Sequence, residues 1–409
     1  MPRWTTADRQ GMQLALDLAR RGQGFVEPNP MVGCVIVQHN RIVGRGRHKK
    51  FGGPHAEPNA LRAAGYEARG ATVYVTLEPC CHTGKTPPCT DALIRARVGR
   101  LVVAMKDPNP LVAGKGIRKL RAAGIEVDVG LLRAEAVTLN IPFIKYHAEN
   151  LPYVILKWAQ SIDGKIATRR GESKWITSRQ SRTAAHALRA RVDAVIVGVG
   201  TVLVDDPDLT ARLVKPRRTA ARIILDTNLR TPLYAKLVRT ARKTPTIIVT
   251  GHTKSLPHKC GTYCGTGVSP VVHHGRDARA TGGFGISSES ENRNPKSAKV
   301  KRLERAGCKV LEIRCGRSGI HPATLLRRLR DMNMTNILVE GGGRVLGAFL
   351  QRHLADEAHI FVAPRLIGGE AAPGPLRDIG PASMRNLPKT ILRSITHLGP
   401  DLCYNLGFD

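Results

Sequence analysis

The chain has 409 residues, and its 64 Lys and Arg residues outnumber its 32 Asp and Glu residues, for a net charge of +32. At roughly 100 to 200 residues per domain, this length predicts two or three domains. A hydrophobic fraction of 42% excludes a chain that is disordered throughout. No apolar run approaches the roughly 18 residues of a membrane span, and no signal peptide is evident at the start. The sequence therefore predicts a folded, cytoplasmic protein with no membrane partner.

The basic residues are spread along the chain, and aromatic residues make up only 4% of it. A nucleic-acid-binding protein usually concentrates basic residues on one face and places aromatic side chains among them. A small phosphorylated substrate explains the charge at least as well. We therefore expect no nucleic acid as a partner, with a nucleic-acid deaminase or binding protein as the alternative.

The first part of the chain alternates between helical and extended patterns. Apolar residues at helical spacing predict a helix over 6–21, followed by a hairpin of 31–37 and 42–44. Helices are then predicted over 55–64, 89–96 and 116–123, and they alternate with strands over 72–77, 101–104 and 125–129. The segment 132–150 has a helical pattern that is interrupted at Pro142. This alternation predicts an α/β domain over residues 1–149.

Residues 150–409 predict a second α/β domain. Its strands are predicted over 153–158, 194–199, 222–226, 246–250, 309–313, 336–340 and 359–363, and its helices over 178–191, 323–332 and 345–352. Between about 251 and 300 the pattern is lost, and a composition rich in Gly and Ser predicts a disordered insertion. Cys260 and Cys264 lie there near several histidines, which leaves a second metal site as an alternative; the histidines are His252, His258, His273 and His274.

Nine cysteines are too few and too scattered for a disulfide framework, so a cysteine cluster is tested first as a metal site. The imidazole of His55 and the thiolates of Cys80 and Cys89 can hold a tetrahedral Zn²⁺ with one position free for water, as in catalytic zinc sites. A glutamate that is not a ligand can move protons between that water and a leaving amine. Glu57 is the candidate for this role.

The cysteine spacing departs from the Pro-Cys-x-x-Cys pattern of zinc-dependent nucleobase deaminases, because eight residues separate Cys80 from Cys89. The dipeptides Pro79-Cys80 and Pro88-Cys89 flank a Gly-Lys-Thr-Pro turn. In this feature the segment resembles the deaminase half of the bifunctional riboflavin-biosynthesis deaminase/reductases. The resemblance implies one Zn²⁺ per chain.

Two neighbouring residues, Cys81 and His82, are competing ligands by residue type, although the family pattern uses neither. Asn29-Pro30 also matches the family, in which the loop before the first strand contacts substrate. An ordinary turn is the alternative for Asn29. The resemblance thus implies His55 and the two cysteines as ligands and Glu57 as the catalytic residue.

The resemblance extends to the second half of the chain. Four blocks carry it, in chain order: Leu156 to Lys165, Gly171 to Ser178, Gly198 to Arg212 and Glu340 to Gly343. They are similar to the family's reductase half, which has a dihydrofolate-reductase-like fold and uses NADPH. The expected fold class is therefore α/β, with an N-terminal cytidine-deaminase-like α/β/α domain followed by a dihydrofolate-reductase-like α/β domain.

Carried over position by position, the resemblance assigns residues to the cofactor and to the substrate. Those assigned to NADPH are Ala159, Trp175, Thr201, Asp205, Thr227, Gly342, Gly343, Arg344, Val345, Leu346, Gly347 and Ala348. Those assigned to the substrate are Ser173, Arg189, Leu209, Arg212 and Glu340. Arg169 and Arg170 could also hold a 2′-phosphate and Lys157 could orient the opened sugar, but no motif supports either role.

Two of these assignments also have a physical basis in the residues themselves. Glycines directly after a strand let backbone N–H groups approach a pyrophosphate at a helix N-terminus, although a plain strand-to-helix turn looks the same. The guanidinium groups of Arg189 and Arg212 suit a phosphate, although a solvated charge is the alternative.

The resemblance implies a two-step enzyme. It would remove an exocyclic amine hydrolytically from a phosphoribosylated diaminopyrimidinone and then reduce the ribosyl group to ribityl with NADPH. A homo-oligomer is expected. A protein with one decayed site is a further alternative, but neither site lacks a key residue.

Overall fold

A computed structural model describes residues 4–252, 295–316, 319–377, 380 and 383–408. Most of the predicted insertion, including Cys260 and Cys264, lies outside the described residues, as do His258, His273 and His274. A strand nevertheless continues to His252 and a helix begins at Pro295, so the predicted range took in residues of regular elements at both edges. In the part of the chain that is described, no helix is long and apolar enough to cross a membrane.

A five-stranded sheet organises the first part of the chain. Its elements are α1 (Thr6–Arg20), β1 (Gly33–Gln38), β2 (Arg41–Arg47), α2 (Ala56–Ala64), β3 (Thr72–Val75), α3 (Cys89–Arg95), β4 (Arg100–Val103), α4 (Lys115–Ala122), β5 (Glu126–Val129) and α5 (Arg133–Ala148). The strand order is β2-β1-β3-β4-β5. Strand β1 is antiparallel to β2 and β3, whereas β3, β4 and β5 are parallel. The carboxyl ends of the parallel strands therefore meet at one edge, where the loops after them can build a site.

Helix α2 lies unusually close to β2. A Cβ atom at Gly46 would be 2.1 Å from the carbonyl oxygen of Ala56 and 2.4 Å from the backbone nitrogen of Ala60. Only glycine allows this approach of strand and helix backbones. The contact sets the position of the α2 N-terminus, which carries His55 as its cap residue and Glu57 in its first turn.

A ten-stranded sheet organises the second part. Its elements are β6 (Tyr153–Ser161), α6 (Arg179–Arg189), β7 (Ala194–Gly198), α7 (Val199–Asp205), β8 (Ala221–Leu225), α8 (Lys236–Arg239), β9 (Thr246–His252), α9 (Pro295–Arg305), β10 (Lys309–Gly316), β11 (Gly319–Ile320), α10 (Pro322–Asp331), β12 (Asn336–Glu340), α11 (Gly343–Leu350), β13 (Glu357–Ala363), β14 (Thr390–Leu398) and β15 (Asp401–Phe408). The strand order is β11-β10-β9-β8-β7-β12-β6-β13-β15-β14. Seven consecutive strands of the sheet are parallel, namely β10, β9, β8, β7, β12, β6 and β13. The strands outside them, β11 at one edge and β15 and β14 at the other, are antiparallel to the strands with which they pair.

The two parts of the chain meet along α5. Its backbone leaves helical geometry at Asn140, close to the interruption predicted at Pro142, and the Asn140 side chain hydrogen-bonds both backbone groups of Met31. Further along α5, the ammonium of Lys145 lies 2.6 Å from a carboxylate oxygen of Asp356, just before β13. Helix α5 is therefore held by residues of both parts.

Candidate active sites

Three side chains at the edge of the first sheet form a compact donor cluster. The Nδ1 of His55 lies 3.6 Å from the Sγ of Cys80 and 3.4 Å from the Sγ of Cys89. Tetrahedral Zn²⁺ with bonds of about 2.0 to 2.3 Å places nitrogen and sulfur ligands about 3.6 Å apart. Among the residues that the structure describes, this is the one group of three that could hold a metal ion. The donor set and its spacing fit Zn²⁺.

The loop before α3 brings the two cysteines together. Cys89 is the first residue of α3, and its backbone N–H donates to the Sγ of Cys80 over 3.3 Å. The thiol of Cys89, the imidazole of His55 and this backbone N–H lower the pKa of Cys80 to about 4, since each stabilises the thiolate. The Cys80 sulfur is thus prepared to bind a cation.

Glu57 lies beside this cluster without belonging to it. Its side chain is 3% exposed, and burial raises its pKa to about 7, with the negative charge of Cys80 adding to the effect. A carboxyl group that titrates near neutral pH can both accept and donate a proton there. Its position suits a proton carrier.

A cavity of about 500 Å³ adjoins the cluster. Asn29, which the sequence marks, lies in its wall, and its side-chain amide lies 3.2 Å from the Nε2 of His48. His82 also lines this cavity, but neither it nor Cys81 belongs to the donor cluster. Glu78 fixes a neighbouring loop, because its carboxylate accepts backbone N–H groups of Asp107, Gly114 and Ile117.

A second, larger cavity of about 790 Å³ lies where β6, β7 and β12 of the second sheet end. It brings together most of the residues that the resemblance assigns to cofactor and substrate. In its wall are Ala159, Ser173, Arg189, Thr201, Asp205, Leu209, Thr227, Glu340, Gly342, Gly343, Arg344, Val345, Leu346 and Ala348. Ser173 Oγ lies 3.2 Å from Asp205 Oδ1 and links the two groups of residues.

The glycine run after β12 has the geometry of a ligand cradle. Gly341 and Gly342 have φ values of +68° and +74°, a backbone conformation that residues with a side chain rarely adopt. A Cβ on Gly341 would also lie 3.4 Å from Thr201 Oγ1. The run leads directly into α11, whose first N–H groups face no preceding helical turn. This arrangement suits the pyrophosphate of a dinucleotide.

A buried ion cluster lies in the same cavity. Glu340 receives two hydrogen bonds of 2.6 Å from Arg189, and the ammonium of Lys157 is 3.5 Å away. Burial alone would raise the pKa of Glu340, but these two positive charges lower it to about 2. The fork of Arg189 is therefore largely occupied by a protein carboxylate.

Three assigned residues do not line this cavity. Trp175 is 64% exposed and stacks with the guanidinium of Arg182 at 4.4 Å. Arg212 is half-exposed and pairs with Asp208 at 2.6 Å. Gly347 is a buried residue of α11 and is not part of the cavity wall. Arg169 and Arg170 are exposed residues and are likewise absent from the cavity wall.

Two residues of the first cavity were not predicted from the sequence. They are Arg330, in the last turn of α10 of the second part, and Asn333, just after that helix. No sequence signal could have found them, because more than half of the chain separates them from the zinc ligands. The hydroxyl of Thr86 was also missed; it lies 3.4 Å from the Nε2 of His55.

Known proteins resemble the chain along almost its whole length. Residues 5–105 match the cytidine and deoxycytidylate deaminase zinc-binding region, and residues 152–263 and 286–404 match the RibD C-terminal domain. The riboflavin biosynthesis protein RibD of Aquifex aeolicus is 42% identical over 395 residues, which cover 97% of each chain. Its counterpart from Escherichia coli K12 is 38% identical over 399 residues, covering 98% of this chain and 99% of the relative.

Solved structures agree with these relatives. Acinetobacter baumannii RibD, form 1, superimposes with a TM-score of 0.79 at 36% identity, covering 98% of this chain and 99% of that one. A diaminohydroxyphosphoribosylaminopyrimidine deaminase/5-amino-6-(5-phosphoribosylamino)uracil reductase from Thermotoga maritima gives 0.75 at 32% identity and covers 98% of each chain. The expected fold class, a deaminase-like domain followed by a reductase-like domain, is confirmed.

Proposed function

This chain belongs to the RibD family of riboflavin biosynthesis proteins, and from that membership we propose which of its residues perform each step. It is a bifunctional enzyme with a zinc-dependent deaminase step and an NADPH-dependent reductase step. The observation that carries this function is the pairing, in one chain, of a His-Cys-Cys cluster beside a buried glutamate with a glycine-cradled cavity on a second sheet. We assign residues 1–149 to the deaminase and 150–409 to the reductase.

The substrate of the first step is 2,5-diamino-6-(5-phosphoribosylamino)pyrimidin-4(3H)-one, and the product is 5-amino-6-(5-phosphoribosylamino)uracil. His55, Cys80 and Cys89 would hold zinc, which supplies the Lewis acidity that makes water a nucleophile near neutral pH. Glu57 takes a proton from the attacking water and delivers one to the leaving amine. Asn29 contacts the pyrimidine from the cavity wall.

The second step reduces the ribosyl group of that product to ribityl. NADPH, when bound, supplies the hydride, and the protein aligns the nicotinamide with the sugar carbon. Those residues assigned to NADPH that line the 790 Å³ cavity hold it there, with the glycine run at the pyrophosphate. Ser173, Leu209 and Glu340 contact the sugar end of the substrate.

Two arginines, Arg189 and Arg212, are the candidates for binding the substrate phosphate in the reductase step. Arg189 donates hydrogen bonds to both carboxylate oxygens of Glu340, from its Nε and its Nη2. Its role therefore includes orienting that carboxylate. Arg212 pairs with Asp208 at a half-exposed position and can exchange this partner for a phosphate at low cost. We therefore assign the direct phosphate contact in the reductase step to Arg212.

The partners we propose are the phosphoribosylated pyrimidine and further copies of this chain, with no nucleic acid. We place the enzyme in the cytoplasm. The scattered basic charge supports a small anionic substrate over a nucleic-acid groove.

One assay tests both activities together. Adding the diaminopyrimidinone substrate to the purified protein and NADPH should cause loss of the NADPH absorbance, and the same sample should contain one zinc ion per chain. Omitting NADPH should allow the deaminated product to accumulate. Release of the amine without NADPH oxidation, or oxidation without zinc, would contradict the two-step function.

A further inference from the structure

The cavity beside the zinc ligands is composite. Part of its wall comes from α5, through Tyr146 and His147, and part comes from the second half of the chain, through Arg330 and Asn333. Arg330 belongs to the last turn of α10 and Asn333 follows that helix. The reductase half therefore contributes side chains to the deaminase cavity.

Arg330 is held in place across the boundary between the halves. Its guanidinium lies 4.8 Å from the ring centroid of Tyr146, and its Nη2 donates to Asn150 Oδ1 over 3.0 Å. The Tyr146 hydroxyl in turn lies 3.4 Å from the backbone oxygen of Arg330 and 3.3 Å from Asn333 Oδ1. Stacking on an aromatic ring orients a guanidinium without neutralising it.

The charge of Arg330 has no close counter-ion among the described residues. Its nearest ion-pair partner there is Asp331, at 4.0 Å and with a side chain that is 60% exposed. Arg100 and Arg189, by contrast, each have a carboxylate within 2.7 Å. The Nε of Arg330 is buried with no hydrogen-bond partner in the described chain, so the protein does not saturate this guanidinium.

Only two lysine or arginine side chains line this cavity within the described residues, Lys85 and Arg330. Lys85 lies over the ring of Phe51 at 4.0 Å. The pKa of His147 is lowered by burial and by the charge of Arg330, so this imidazole stays neutral. A substrate whose pyrimidine ring reaches the zinc ligands must place its phosphoribosyl arm in the rest of the cavity.

We propose that Arg330, supplied by the reductase half, binds the phosphate of the substrate during deamination. This inference rests on the proposed function, because it takes the phosphoribosylated pyrimidine as the substrate. A guanidinium offers a phosphate two parallel charge-assisted hydrogen bonds. Deamination then depends on the docked reductase half through a direct contact with substrate.

The test compares two substrates in the full-length protein, the phosphorylated diaminopyrimidinone and the same compound without its phosphate. Arg330→Met keeps an unbranched side chain over Tyr146 but removes the charge and the donors. It should lower kcat/KM for the phosphorylated substrate about tenfold to a hundredfold, the value of a hydrogen bond between charged groups. Activity on the dephosphorylated substrate should stay within twofold, and Arg330→Lys should recover part of the loss.

Matched controls are Arg327→Met and Arg328→Met, on exposed positions of the same helix, which should change neither activity. Zinc content and reduction of the deaminated product should also be unchanged in Arg330→Met. An equal loss on both substrates would overturn the inference in favour of a docking role. A phosphate preference that survives in Arg330→Met but disappears in Lys85→Met would assign the phosphate to Lys85 and overturn it as well. Wild-type protein that contains zinc and deaminates neither substrate would contradict the proposed function itself.

Discussion

Glu57 is the residue that we propose moves protons in the deaminase step without binding the metal. Glu57→Gln preserves the shape of the side chain but cannot take up a proton, so deamination should fall by roughly 10²- to 10⁴-fold. Zinc content, measured by metal analysis, should stay at one per chain, and reduction of the deaminated product should be unaffected. Glu67→Gln, at an exposed position in the same half, is the control. Loss of zinc with retained turnover would make Glu57 a ligand instead.

Glu340 should make the free energy of unfolding depend on pH in the acidic range. Its pKa is lowered to about 2 in the folded protein, below the value of about 4.3 in an unfolded chain. Its contribution is therefore complete above about pH 4.5 and is lost as the pH falls towards 2. Glu340→Gln leaves Arg189 and Lys157 without their counter-ion, which should cost about 3 kcal/mol at neutral pH.

Urea unfolding at several pH values between 7 and 3 checks this. The difference between wild type and Glu340→Gln should shrink as the pH falls, because below about pH 4.3 the unfolded wild-type chain takes up a proton on Glu340 while the folded carboxylate, with its pKa of about 2, stays charged. Exposed Glu304→Gln should leave the unfolding curve unchanged at every pH. A difference that is constant across the range would mean that packing, and not charge, is lost.

Arg212 is the third residue for which we propose a role that can be tested separately. Arg212→Ala should raise the KM of the reductase step roughly tenfold or more, since a charge-assisted contact to phosphate is lost. Steady-state kinetics with the deaminated product measures this, and deamination should not change. Lys215→Ala removes a neighbouring exposed charge as a control. Equal impairment of both steps would argue against this placement.

At the scale of elements, the approach of β2 to α2 positions the zinc site. Gly46→Ala would place a methyl group 2.1 Å from the Ala56 carbonyl oxygen and must push α2 away. We expect a loss of about 2 kcal/mol of unfolding free energy. Zinc should be removed more readily by a chelator, because α2 carries His55 at its start. Gly316→Ala, which meets no atom within 4 Å, should be neutral in both measurements.

Three strands, β11, β14 and β15, escaped sequence prediction, and for β14 the reason is physical. The side chains of β14 are almost all exposed, so the alternation of apolar and polar residues that marks a half-buried strand is missing. Its place depends on pairing with β15, which in turn pairs with β13. Helix α7 also escaped prediction. It begins at Val199, directly after β7, and its seven residues are too few to show a helical period.

At the scale of the molecule, residues 253–294 interrupt the reductase half between elements that lie close together. The ammonium of Lys296 donates to the backbone oxygen of Gly251, so the two flanks of this segment are neighbours. Replacing residues 253–294 by a short Gly/Ser linker should keep both activities and the zinc content. Stability should change little, because loop closure costs about 0.6 kcal/mol per doubling of length.

Kinetics, metal analysis and urea unfolding of this variant decide the point. Loss of reduction in a folded protein that still binds NADPH would show that the segment takes part in catalysis. A fall from two zinc ions per chain to one would support the alternative metal site at Cys260 and Cys264.

The sequence by itself determined the order of most helices and strands, the His-Cys-Cys cluster of the zinc site, and the glycine run after β12. These features are local, because hydrophobic period, turn residues and short motifs act between residues near in the chain. Only the tertiary structure decided that Glu340 occupies the fork of Arg189 and that Arg330 reaches the deaminase cavity. Each of those contacts joins residues more than a hundred positions apart, and docking of whole elements, which no local pattern encodes, brings them together.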